Sequence, residues 1–218
     1  MMRCKAVLFD LDGTLVDSAP DLAGSANRLR ALKGLPPLPL AALRPFCGSG
    51  ARGMLEIGLN LRPQDPGYEA ARLAFLADYA KHLLDGTHLF EDVDQLLERL
   101  ASRGQRWGIV TNKAEALAQP LQQAFSALQG AAVLVGGDTT AHRKPHPAPL
   151  LEAARRMGLA ASDCIYVGDD ERDIQAAHAA GMPGIAVRWG YLGLKPVDGW
   201  GAEAQITSPL HLLGLLEA

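Results

Sequence analysis

The chain is predicted to fold as an α/β protein, a Rossmann-like parallel sheet interrupted after its first strand by a helical insertion. Three observations predict it. From residue 88 onward short apolar runs alternate with helical patterns, the rhythm of parallel strands joined by crossover helices. Residues 17–87 break that rhythm with helical patterns and no convincing strand. The first apolar run, Ala6-Val7-Leu8-Phe9, leads straight into two acids, Asp10 and Asp12, at the sheet edge where open α/β folds bind their ligands.

The elements follow in order. Ala6–Phe9 is apolar without alternation, as a strand covered on both faces must be. Asp21 to Lys33 reads as a helix, stopped by Gly34 and the run Leu35-Pro36-Pro37-Leu38-Pro39. Cys47-Gly48-Ser49-Gly50 reads as a flexible loop before a helix near 51–60, and Leu73, Leu76, Ala77, Ala80 and Leu83 keep helical spacing across 67–84. Further strands are expected at 106–111, 132–136, 164–168 and 184–188, with Ala204-Gln205-Ile206 as a short edge strand. Helices are expected near 91–103, 115–126, 147–157 and 172–180. The expected division is therefore a sheet core of residues 1–16 and 88–218, and a helical domain of residues 17–87.

Composition narrows the function classes. With 218 residues, 48% apolar and 21% charged, the chain can bury a full core as an ordinary globular protein. A net charge of −3 provides no attractive field for nucleic acid or an anionic membrane. No apolar run has membrane-spanning length and the N-terminus lacks a signal-peptide layout, so a cytoplasmic protein is expected. The three cysteines, Cys4, Cys47 and Cys164, are scattered without metal-ligand spacing and read as reduced thiols.

Four segments at strand ends carry chemistry. In Asp10-Leu11-Asp12-Gly13-Thr14, a strand-end carboxylate can act as a covalent nucleophile. A second, two residues on, can serve as acid and base. Alone, Asp-Gly after a strand is an ordinary turn. Thr111-Asn112 closes the next strand with a hydroxyl and an amide that can donate to phosphate oxygens, or merely cap a helix. Lys144, between Arg143 and Pro145, offers a compact positive charge on a stiff loop. In Gly168-Asp169-Asp170-Glu171-Arg172-Asp173, clustered hard oxygens suit Mg²⁺, although a single acid there would simply favour a helix start. Arg52 and Arg44 are candidates to meet a substrate carboxylate, Arg52 because the glycine-rich loop before it permits close approach.

Together the four segments resemble the haloacid dehalogenase superfamily in its phosphatase branch. Within it the chain looks most like bacterial phosphoglycolate phosphatases. Gly48-Ser49-Gly50-Ala51-Arg52 and Val167-Gly168-Asp169-Asp170 also resemble N-acetylmuramic acid 6-phosphate phosphatases. The resemblance implies a helical cap domain at 17–87, closing over a small phosphorylated metabolite. It implies Asp10 as nucleophile and Mg²⁺ ligand, with Asp12 as general acid/base giving its backbone carbonyl to the metal. Asp169 would be a further ligand; Thr111, Asn112 and Lys144 would bind phosphate. Asp173 would hold the metal's waters or Lys144, and Asp170 has no fixed role. A phosphosugar mutase would use the same segments, and a metabolite-binding protein could share the fold. The oligomeric state is not readable.

Overall fold

A computed structural model describes residues 2–216, so the ends of the expected core at residues 1, 217 and 218 lie outside the described residues. The chain divides into two compact units, Met1–Val16 with Leu89–Ala218, and Asp17–His88. It passes from one to the other through a two-stranded ribbon of Val16–Asp17 and His88–Leu89.

The first unit is built on six parallel strands: β1 (Ala6–Phe9), β2 (Arg106–Val110), β3 (Leu134–Val135), β4 (Cys164–Gly168), β5 (Gly184–Val187) and β6 (Ala204–Ile206). Their order across the sheet is β3-β2-β1-β4-β5-β6. The chain runs outward from β1 to β3, then returns to lay β4 on the other side of β1. Such a reversal opens a crevice at the carboxyl ends of the two central strands. Phe9 sits opposite Ile109 of β2 and Val167 of β4, so the residues just beyond these three positions share one edge. All four residues of β1 are buried, as their unbroken apolar character requires. β3 is shorter than the run 132–136, yet Ala132 N–H still donates to Trp107 and Val133 still accepts from Ile109.

Helices α4 (Val93–Ser102), α5 (Glu115–Ala124), α6 (Ala148–Arg156) and α7 (Glu171–Ala180) belong to this unit. On α4 the buried residues Val93, Leu96, Leu97 and Leu100 repeat at the spacing of a single helix face. α7 begins with a capping box: Asp170 accepts from the Arg172 N–H, and the Asp173 side chain accepts from the Asp170 N–H. The acids expected at this helix start are thus partly explained by the helix itself.

The second unit is helical, with α1 (Ala19–Leu32), α2 (Gly50–Leu59) and α3 (Tyr68–Lys81). Leu22, Ala26 and Leu29 of α1, Met54 and Leu55 of α2, and Phe75 and Tyr79 of α3 are buried. The segment read as a flexible loop before α2 is ordered otherwise. Arg44–Ser49 winds into a 3₁₀ turn in which Cys47 is buried and its thiol faces the Leu43 carbonyl. Packing of Leu43 and Cys47 overrides the local glycines, and Cys47 is shielded from reagents.

Asp21 ties the ends of this unit together. One carboxylate oxygen accepts from Gly86 N–H at 2.8 Å, the other from Thr87 N–H at 2.9 Å and from its hydroxyl at 2.6 Å. Asp21→Ala would leave three buried or part-buried donors without their acceptor. The expected cost is about 2–4 kcal/mol of stability, read as a lower denaturation midpoint in urea.

Candidate active site

Lys144 organises the carboxyl edge of the sheet. Its side chain is 2% exposed, with Nζ 3.0 Å from Asp10 Oδ1 and 2.7 Å from Asp173 Oδ1. It also donates to the Tyr166 hydroxyl, which passes a hydrogen bond on to the Val110 carbonyl. Burial works against the lysine's charge, yet the carboxylates of Asp10 and Asp173 hold it above the ordinary lysine range. Asp10 Oδ1 takes both Lys144 and the Leu11 N–H. Neither contact uses Oδ2.

Asp169 lies across the crevice at the end of β4. Oδ1 accepts from the Thr14 hydroxyl at 3.1 Å and Oδ2 from the Tyr191 N–H at 2.8 Å. Burial, with the charges of Asp10 and Asp173 added, drives its carboxyl well above the usual carboxylate range. Burial likewise raises Asp173 to about 7, against the pull of Lys144. Asp10, Asp169 and Asp173 each bring an oxygen within 4.8 Å of the others. Three carboxylates thus crowd together, and only two of them, Asp10 and Asp173, meet the Lys144 ammonium. A hard divalent cation fits this set, since it would relieve the repulsion that burial magnifies.

Asp12 and Thr111 stand at the tips of neighbouring strands. Asp12 is gripped by Lys113, whose Nζ lies 2.8 and 3.1 Å from its two oxygens. The Thr111 hydroxyl is buried and accepts from the Lys113 N–H, leaving its own proton to give. Asn112, expected to help bind phosphate, also ties down the lysine loop. Its amide donates to the Lys144 carbonyl and accepts from the Lys144 N–H, both at 3.0 Å. In this structure it holds the lysine loop in place.

Residues 7–187 match the model of the haloacid dehalogenase-like hydrolases. The chain belongs to that family. It is 49% identical over 209 residues to a phosphoglycolate phosphatase of Xanthomonas campestris, covering 95% of this chain and 94% of the relative. To an N-acetylmuramic acid 6-phosphate phosphatase of Pseudomonas aeruginosa it is 37% identical over 219 residues, covering 99% and 96%. Among solved structures, a predicted phosphoglycolate phosphatase from Haemophilus somnus superposes with a TM-score of 0.87 at 28% identity, covering 99% of both chains. By this kinship the chain is a hydrolase of the phosphatase class, similar to phosphoglycolate phosphatases.

Other members of the expected site have other partners in this haloacid dehalogenase-like hydrolase. Asp170 forms a two-pronged pair with Arg172, at 2.7 Å on each prong. Burial pushes its carboxyl up, but Arg172 outweighs that and holds it below the usual range. It belongs to the helix cap and is absent from the triad. Arg44 pairs with Asp17 at 2.8 Å within the helical unit. Arg52 is exposed and lines a groove of about 380 Å³ in that unit with Ser49, Glu56 and Arg62. Among the described residues no helix is long and apolar enough to cross a membrane.

The run Arg188-Trp189-Gly190-Tyr191 escapes functional assignment from sequence. In the structure the Trp189 indole donates to the Thr14 carbonyl at 3.0 Å. Gly190 lies so close that a Cβ there would fall 2.3 Å from Asp169 Cβ and 2.4 Å from the Gly13 carbonyl. Gly13, at φ +88°, is pressed against the same carboxylate. This loop therefore fixes where Asp169 points. Gly190→Ala is expected to lower divalent-cation affinity about 10–100-fold, measured by calorimetric titration alongside the metal dependence of turnover.

Proposed function

We propose that the chain is a Mg²⁺-dependent phosphomonoesterase for a small phosphorylated metabolite, with 2-phosphoglycolate the first candidate. The observation that carries this reading is the Lys144 bridge, which engages Asp10 through Oδ1 within a crowded acidic triad. The kinship to phosphoglycolate phosphatases supports the substrate.

In the first step Asp10 Oδ2 attacks phosphorus and the ester P–O bond breaks. Asp12 gives its proton to the departing alcohol. In the second, Asp12 takes a proton from water as that water attacks the aspartyl-phosphate, and the bond to Asp10 breaks to release phosphate. Lys144 and the Thr111 hydroxyl face the phosphoryl oxygens and offset their charge. Asp10, Asp169 and the Asp12 backbone carbonyl would hold Mg²⁺, with Asp173 behind them. The ion would neutralise charge on the transferring group and orient it. On the helical unit, Arg52 is the candidate for a substrate carboxylate, because a guanidinium grips a carboxylate through two parallel bonds. Arg44, spent on Asp17, is set behind it.

Trapping tests the covalent step. Acid quenching of Asp12→Asn during turnover of an aryl phosphate should leave a phosphate adduct on the peptide containing Asp10. An adduct on another residue, or none while phosphate is still released, contradicts the reading. Chelation should be as telling: EDTA is expected to abolish turnover and Mg²⁺ to restore it. Mg²⁺ should also raise the melting temperature of the native chain but not of Asp169→Ala.

A further inference from the structure

We propose that Lys113 is a positioning residue for proton transfer, aiming the Asp12 carboxyl at the leaving-group oxygen. Nothing in the four strand-end segments marks it. It follows Thr111-Asn112 at the tip of β2, whose partner in the sheet is β1, and so stands beside the loop that carries Asp12. Its side chain is 7% exposed and that of Asp12 is 16% exposed. The ammonium reaches both carboxylate oxygens, at 2.8 and 3.1 Å.

Two contacts to one carboxylate do what one cannot. A single hydrogen bond leaves the group able to swing about it; two fix the plane of the carboxyl. The same arrangement serves both protonation states that the chemistry needs. When one oxygen carries the proton for the departing alcohol, the other still accepts from Lys113. When the proton has gone, both oxygens accept and the base is held ready for water. The backbone N–H of Lys113 donates to the Thr111 hydroxyl at 3.2 Å. Lys113 therefore couples the geometry of Asp12 to a second residue facing the phosphoryl group.

This inference rests on Asp12 acting as the leaving-group acid, and leaving-group dependence tests both. An alcohol departs as a poor leaving group and needs the proton; an activated nitrophenolate departs without it. The experiment compares kcat for 2-phosphoglycolate and 4-nitrophenyl phosphate in wild type, Asp12→Asn, Lys113→Met and Lys113→Arg. Melting curves confirm folding, and Lys113→Gln replaces Lys113→Met if that variant does not fold. Lys113→Met is expected to lower the alkyl-to-aryl rate ratio by about tenfold or more, a fraction of the ~10²–10⁴-fold typical of acid–base catalysis. Lys113→Arg, with a fork that can span two oxygens, should recover part of it. If both substrates lose equally in Lys113→Met while Asp12→Asn remains leaving-group dependent, Lys113 serves stability or phosphate binding and the proposal is overturned. If Asp12→Asn itself shows no such dependence, the acid assignment fails and this role fails with it.

Discussion

Asp10→Asn is expected to lose on the order of 10³-fold or more in kcat while melting at or above the wild-type temperature. The two halves of this result come from the same geometry. The amide that replaces the carboxylate has almost the same shape, but it is neutral and a poor nucleophile. Turnover therefore falls whichever substrate is supplied. Stability runs the other way because Asp10 belongs to three carboxylates crowded within 4.8 Å. Removing one of them relieves repulsion in the metal-free protein, and Lys144 keeps its 2.7 Å partner, Asp173. A group retained for folding would cost stability when changed. A large loss of turnover with equal or higher thermal stability marks a group kept for its chemistry. Initial rates on an aryl phosphate, with melting curves in EDTA, measure both halves. A variant that melts well below wild type, or keeps a tenth of the rate, would contradict this role for Asp10.

Lys144→Met is expected to damage both. The ammonium is 2% exposed and bridges Asp10 and Asp173. Methionine fills much of the space but leaves two largely buried carboxylates without their partner. Breaking a buried pair from one side typically costs about 3–5 kcal/mol, and the Tyr166 hydroxyl and Val110 carbonyl lose a donor as well. Part of the loss should return at lower pH. Burial sets Asp173 at about 7 even with Lys144 present. A carboxyl raised in the folded state contributes stability at low pH that is lost as pH rises through its folded value. Urea denaturation at pH 5.5 and pH 8 should therefore show a smaller gap between variant and wild type at the lower pH. Turnover should fall at least 100-fold at either pH, since charge neutralisation at the phosphoryl group carries much of the rate.

What the sequence made legible follows from how local each signal is. β1, β2, β4 and β5 announce themselves because a strand covered on both faces must be apolar throughout. Asp10 and Asp169 lie directly after such runs. Asp10, Asp169, Asp173 and Lys144 could be picked out as chemistry-bearing residues at one sheet edge, and the structure brings those four together. The residues that escaped notice depend on contacts far apart in the chain. Lys113 meets Asp12 across 101 residues and Trp189 meets Thr14 across 175. Neither pairing leaves a periodic trace. Position offered the one available signal for Lys113: it lies two residues past Thr111, just beyond the strand next to β1. Asn112 shows the same limit. Its side chain also grips the Lys144 backbone through one amide N–H and its carbonyl oxygen, a pairing 32 residues apart in the chain. The 3₁₀ turn at Arg44–Ser49 was hidden by Gly48 and Gly50, which suggest a loose loop until Leu43 and Cys47 are seen to be buried.

Phosphate release across a substrate panel, in Mg²⁺ and in EDTA, tests the proposed function most directly. The panel contains 2-phosphoglycolate, N-acetylmuramic acid 6-phosphate, hexose phosphates and an aryl phosphate. Rapid Mg²⁺-dependent release from 2-phosphoglycolate, exceeding every other member in kcat/KM and abolished by EDTA, is the predicted result. Preference for N-acetylmuramic acid 6-phosphate would keep the chemistry and transfer the substrate to that relative's class. No release from any member by folded, Mg²⁺-loaded protein would contradict a phosphomonoesterase and turn attention to a mutase or a binding protein on the same fold.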